Sequence, residues 1–210
     1  MRTDKMDRVV VQTMLTTLGS ILLLSVLAFA IVALLFPSTL IRVSYQLGND
    51  SGAMKYASRA YKTSGDVYYI AYATEVAIGI DKNEDIEEYA QEFIANTDGF
   101  NEYCRQVDER RTDVSELGSY RQRVYGYLVL AEYAQGKSDE ALAHAKEAIG
   151  EGFPYNNAYV ALFFAALQEE DDELLAKLLQ GMREATPSDD ADRIYLEELL
   201  AAYEKFLPKS

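Results

Sequence analysis

Tryptophan is absent from the 210 residues, and cysteine and histidine occur once each, as Cys104 and His144. A lone cysteine cannot close an internal disulfide. A lone histidine cannot supply a multi-histidine metal site or a Cys/His zinc cluster, so disulfide scaffolds and zinc modules are excluded and no metal is expected. Basic residues are scarce: 20 Lys and Arg stand against 34 Asp and Glu, a formal charge of -14. Binding a phosphate backbone needs clustered Lys and Arg, so nucleic acid is not an expected partner. Only 4 prolines occur, whereas 49% of the residues are apolar and 26% charged, which is the composition of a folded chain rather than a disordered tail.

One stretch lacks charge altogether. From Val9 to Ile41 there is no Asp, Glu, Lys or Arg, and Leu18 to Phe36 is almost continuously Leu, Ile, Val, Ala and Phe. About 20 apolar residues at 1.5 Å each cross a bilayer, and a soluble core helix rarely lacks every polar face. Residues 13–36 are therefore expected to be a transmembrane helix, behind a short flank of residues 1–12, with the lipid bilayer as one partner. The rival reading is a cleaved signal peptide, for which Ala28-Phe29-Ala30 offers a small-x-small site. Cleavage there would leave Ile31 to Phe36 as an apolar N-terminus with nothing to bury it. Arg2, Lys5 and Arg8 precede the span and Arg42 alone lies close behind it, so the N-terminus is expected in the cytoplasm and the rest of the chain outside it. Asn49-Asp50-Ser51 would be a glycosylation acceptor only in a eukaryotic lumen.

Beyond the span, four segments are related. They begin at Asp50, Asn83, Ser138 and Asp171, and aligning Met54, Ile86, Leu142 and Leu175 gives offsets of 32 (86 minus 54), 56 (142 minus 86) and 33 (175 minus 142). Each opens on a polar cap residue and then spaces apolar residues three, four and seven apart, as in Leu142, Ala145 and Ile149, so each reads as an amphipathic helix. A second apolar helical stretch precedes each one, near 38–47, 67–80, 120–135 and 156–168. Helix, short turn, helix at a period near 33 residues is the pattern of an α-solenoid, because one pair cannot cover its own apolar face. The long offset leaves an insert near 97–117, expected to be one more helix and a connecting loop. Residues 187–210, with Ile194, Leu196, Leu199, Leu200, Tyr203 and Phe206 among acids, are expected to form a capping helix.

The stretch Tyr125 to Ile149 resembles a tetratricopeptide repeat, with Tyr125 and Leu128 in a first helix, Gly136 at the turn, and Ala141, Ala145 and Ala148 where two helices approach. Asp50 to Tyr61 is similar, with Gly48 at the turn and Ala53, Ala57 and Ala60 in the small positions. The other two units depart from the pattern: Ile80 and Glu169 occupy the turn-glycine position and Leu174 and Leu178 replace small residues. The resemblance covers residues 38–186 and implies an all-α fold, a TPR-like domain of about four helical pairs. It also implies that the first helices line a concave partner-binding groove, with Arg42, Tyr45, Thr74, Arg123, Leu130, Tyr133, Asn156, Tyr159 and Phe163 on the inner face. All 16 tyrosines follow the span, and tyrosine suits a peptide groove because it offers large apolar area and a hydroxyl at small entropic cost. Tyr56, Tyr61, Tyr69, Tyr72 and Tyr125 fall instead at core-like positions.

Chemistry is sparse. No glycine-rich phosphate loop and no Gly-x-Ser-x-Gly elbow occurs. His144 lies inside a repeat helix and reads as a packing or surface residue, and Cys104, beside Arg105, reads as an inert thiol. Asp81, Asn83, Asp85 and Glu92 follow calcium-loop spacing, but Ile86 stands where such a loop needs glycine, and helix formation from Asn83 would pull the ligands apart. No cofactor and no catalysis are expected. The expected function is a single-pass, membrane-anchored scaffold for a protein or peptide partner, itself expected at the membrane, with a small-ligand sensor domain and a structural subunit of a membrane complex as alternatives.

Overall fold

The charge-free run folds as one helix, α1 (Thr3–Leu35), in a computed structural model that describes residues 3–112, 119–148, 157–185 and 190–205. Its window Val10–Val32 has a mean hydropathy of 2.4 and no buried residue, so α1 is long and apolar enough to cross a membrane. Its hydroxyls are satisfied internally: Thr17, Ser20 and Ser25 each donate to the carbonyl four residues back at 2.8, 2.9 and 2.8 Å. A helix in hydrocarbon needs that self-sufficiency, since no water is there to accept.

Phe36 interrupts the helix, and Pro37, which has no N–H to lose, occupies the first turn of the next. The described residues after α1 are all helix and turn: α2 (Pro37–Gln46), α3 (Asp50–Ser64), α4 (Val67–Gly79), α5 (Asn83–Ala95), α6 (Thr97–Arg110), α7 (Tyr120–Ala134), α8 (Ser138–Glu147), α9 (Asn157–Gln168), α10 (Asp172–Glu184) and α11 (Asp190–Tyr203). Four first helices, α2, α4, α7 and α9, lie within a residue of the stretches expected from the sequence. α6 is the helix of the insert; residues 113–118 of its expected loop, like 149–156, 186–189 and 206–210, lie outside the described residues.

The four pairs share one turn. Gly48, Asp81, Gly136 and Glu170 all adopt left-handed φ, at 69, 54, 77 and 56°. In each turn that residue's N–H donates to the carbonyl three back, and the next N–H, of Asn49, Lys82, Lys137 or Asp171, to the carbonyl five back. This is a Schellman closure, which satisfies the orphan carbonyls of the first helix and points the chain back along it. The turns recur after 33 (81 minus 48), 55 (136 minus 81) and 34 (170 minus 136) residues. The left-handed residue in the second and fourth units is thus Asp81 and Glu170, not Ile80 and Glu169 as alignment on the apolar residues expected. The register there moves by one: Ile86 and Leu175 correspond to Ala53 and Ala141, and Phe93 and Met182 to Ala60 and Ala148. All eight are buried.

That substitution of bulk for alanine explains the neighbours of the second unit. Consecutive helices pack on one another, and α6 lies against α4, α5 and α7. Phe93 of α5, fully buried, meets Phe100 and Tyr103 of α6 edge-on at ring-centroid distances of 4.8 and 5.5 Å. Phe100 continues to Tyr125 of α7 at 6.0 Å. The insert thus supplies an aromatic cover for Phe93, which stands where the first and third units have Ala60 and Ala148. At the other end, Tyr203 of α11 stacks on Phe163 of α9 at 4.0 Å with an interplanar angle of 12°, closing the last pair.

The shared turn makes a test. An added Cβ at Gly136 would meet nothing within 4 Å, so Gly136→Ala introduces only the left-handed backbone penalty. We expect a destabilisation of about 1 kcal/mol, read as a lowered Tm by near-UV circular dichroism of the full chain in detergent.

Candidate functional site

Side chains from α2, α4 and α6 converge on an open groove of about 1160 Å³. Arg42 and Tyr45 come from α2, Tyr68, Tyr69, Tyr72 and Glu75 from α4, and Tyr103 from α6. The α4 set arises from helical spacing: Tyr68, Tyr72 and Glu75 are four and three residues apart and share a face. The rings are mutually braced. Tyr45 meets Tyr72 edge-on at 6.3 Å and Tyr68 meets Tyr103 at 5.1 Å. The Tyr68 hydroxyl donates to Gln106 Oε1 at 2.8 Å, so it is oriented before any partner arrives. Tyr45 and Tyr68 remain 55% and 49% exposed, an unusual amount of aromatic surface to leave in water.

At the groove's edge stands a half-buried carboxylate, Glu75. Glu75 Oε2 accepts from Arg123 at 3.0 Å, whereas Glu75 Oε1 is buried and takes no hydrogen bond within the described residues. The Tyr120 hydroxyl, also buried, is the group that interacts with this carboxylate. Burial, reinforced by the charge of Glu75, holds the Tyr120 phenol far above its usual range, so it stays a neutral donor. Buried polar atoms are costly when unpaired, and the facing phenol and carboxylate offset that cost for one another.

The residues expected to line one continuous inner face are divided by the structure. Arg42 and Tyr45 do enter the groove, and Arg123 reaches it through Glu75. Leu130 and Tyr133 are half-buried further along α7, with the Tyr133 hydroxyl donating to Asp171 at 3.4 Å. Thr74, Tyr159 and Phe163 are buried in the core, at 0, 1 and 0% exposure. This corrects their assignment to a partner surface. Thr74 donates back to Ile70 O at 2.9 Å within α4. Tyr159 is enclosed between α9 and α10: its hydroxyl donates to Leu178 O at 2.7 Å, and at Gly181 an added Cβ would stand 2.5 Å from it. Phe163 lies under Tyr203. Asn156 is outside the described residues. Tyr69 and Tyr72, taken as core-like, are partly buried against the core and also line the groove, and Tyr68, Tyr103 and Glu75 were not anticipated. The spacing of Tyr68, Tyr72 and Glu75 along α4 could have suggested the face; nothing in the sequence placed α6 opposite it.

The remaining reactive groups are built into packing. Cys104 is buried, and desolvation, followed by the nearby Asp108 charge, pushes its thiol up to about 12. Glu132 of α7, with no exposed surface, accepts from Gln91 of α5 at 3.0 Å and meets His144 Nδ1 of α8 at 2.8 Å. Glu87 of α5 pairs with Lys137 at 2.5 Å nearby. These contacts tie the second pair to the third. Among the described residues, no group of three or more His, Cys, Asp or Glu is placed to hold a metal ion. Around Asp81 to Glu92 the chain is a turn and α5, and Glu92 pairs with Lys62 at 3.3 Å. No family model, curated protein or solved structure matches the chain.

Two outcomes follow from these environments. The hydrogen bond with Glu132 comes first among the causes that raise the His144 pKa, while burial opposes it. A raised folded-state value means the pair stabilises fully below the ordinary imidazole range and loses that contribution as pH rises through the raised value. The Tm difference between wild type and His144→Gln should therefore be largest near about pH 5.5 and shrink toward about pH 9. Thermal melts across that range check it; a difference that grows with pH would refute the assignment. For Cys104, a maleimide reagent at about pH 8 should leave the native thiol unmodified and label it only in denaturant, as read by intact mass.

Proposed function

We propose that the chain is a membrane-anchored, non-catalytic adaptor that presents a helical groove to a protein or peptide partner beside the bilayer. The observation that carries this reading is the tyrosine-lined groove between α2, α4 and α6, which starts within one helix of a segment long and apolar enough to span. In this reading α1 is a retained anchor with its N-terminus in the cytoplasm, as the flanking Arg2, Lys5 and Arg8 favour, and the helical domain lies outside the cytoplasm. The recurrent turn at 33 and 34 residues supports a TPR-like solenoid, in which helix pairs stack on successive neighbours.

The groove's chemistry indicates what it holds. Tyr45, Tyr68, Tyr69, Tyr72 and Tyr103 offer flat apolar area with hydroxyls at the rim, which suits an extended peptide carrying an apolar or aromatic anchor. The partner is a membrane protein's extramembrane segment or a newly exported chain. A groove open along its length argues against the small-ligand reading, for which an enclosed pocket is expected. The structural-subunit reading draws on one specific contact, the stack of Tyr203 on Phe163, by which the chain's own last helix covers the far end.

A photo-crosslinking residue at Tyr72, with a control on the exposed Lys146, tests the adaptor reading in membranes. A discrete adduct at Tyr72 that is missing at Lys146 is expected, and its mass identifies the partner. Equal adducts at both sites, or none, would overturn it.

A further inference from the structure

Outside α1, the exposed large apolar side chains are not scattered evenly. Phe36, Val43 and Leu47 are 56, 44 and 78% exposed, and Leu40 between them is half-buried. Spacings of four, three and four residues put Phe36, Leu40, Val43 and Leu47 on one face, running from one cap of α2 to the other. The helix has three sides with distinct surroundings. Ile41 and Ser44 are buried, and α3 is the helix that packs there. Arg42 and Tyr45 turn into the groove. The Phe36–Leu47 stripe meets none of these.

We propose that this stripe docks on the lipid surface, so that α2 lies in the headgroup boundary of the same bilayer that α1 crosses. The inference rests on α1 being a membrane span. Its physical basis is position. The apolar run continues through Ala33, Leu34 and Leu35 to Phe36, so Phe36 stands where the run leaves the hydrocarbon for the headgroup layer. Pro37 begins α2 at once, so the stripe has no linker with which to leave that depth. Apolar residues held at the boundary bury themselves in the acyl edge, as interfacial amphipathic helices do. A protein occupant fits less well, because a stable interface takes about 800 Å² from each partner and a stripe of three well-exposed side chains provides only part of that.

The attachment is apolar in character. Arg42 is the only base on α2 and has no ion pair within the described residues, while the chain as a whole carries -14 and is repelled by anionic lipid. Adsorption through the stripe is therefore insensitive to salt, unlike that of a basic peripheral helix. It also orients the site. Tyr45 stands about half a helical turn from Val43 and Leu47, so seating the stripe in lipid turns the mouth of the groove away from the bilayer.

The full chain carrying Cys104→Ala and a single environment-sensitive fluorophore at Val43→Cys or Leu47→Cys, reconstituted in phosphatidylcholine vesicles, tests this. Glu140→Cys, on the exposed face of α8, is the control. Nitroxides placed high on the acyl chains are expected to quench positions 43 and 47 several-fold more than position 140, at low and high salt alike. Quenching by aqueous iodide instead would overturn the proposal, as would shielding from both quenchers, which would mean a second copy covers the stripe. Flotation of the vesicles reads the anchor separately: protein that does not float removes the membrane-span reading, and this inference with it.

Discussion

A helical pair has one apolar face too many. Folding the second helix back along the first buries only the seam between them, and the outer side must be covered by whatever comes next in the chain. Four left-handed turns, at Gly48, Asp81, Gly136 and Glu170, set this problem four times. Sequential packing answers it: α4 covers α3, α7 covers α5, and α9 lies against both α7 and α8. Where Phe93 stands at the alanine position, the extra helix α6 brings Phe100 and Tyr103 to enclose it.

The groove is a consequence of that insertion. α6 would be an interruption in a regular array, yet its Tyr103 forms the wall facing Tyr68 and Tyr72, and its Gln106 fixes the Tyr68 hydroxyl. A regular stack from α2 to α9 would offer a shallow surface of first helices. Here one end carries the insert and α11 packs on the other. Glu132, His144 and Gln91 join the second pair to the third, while Glu75 holds Arg123 at the groove.

The distribution of polar groups along α1 and α2 is the other constraint. Hydroxyls in α1 bond to their own helix, and the next residues change pattern from uniformly apolar to a stripe on one side of a short helix. That change occurs at Phe36, where the apolar run ends and α2 begins at once, so the helical domain has little freedom to move away from the place where α1 stops.

Much of this was legible from residue order alone, because it depends on local periodicity. The apolar run of α1, the four amphipathic second helices, the first helices before them and the extra helix near Thr97 are properties of short windows, and the left-handed glycines at Gly48 and Gly136 are local as well. The register of the second and fourth units was not, since Asp81 and Glu170 are held left-handed by the closure around them although their side chains do not favour it. Nor was the site. Tyr159 and Phe163 look identical in sequence to surface aromatics at helical spacing, and only α10 and α11 folding over them makes them core. Tyr69 and Tyr72 look like core residues and do pack on the core, but the meeting of α2, α4 and α6 also makes them part of a groove lining. Local chemistry determined which segments are helices and which of their faces are apolar; long-range packing decided which apolar faces meet protein and which are left for something else.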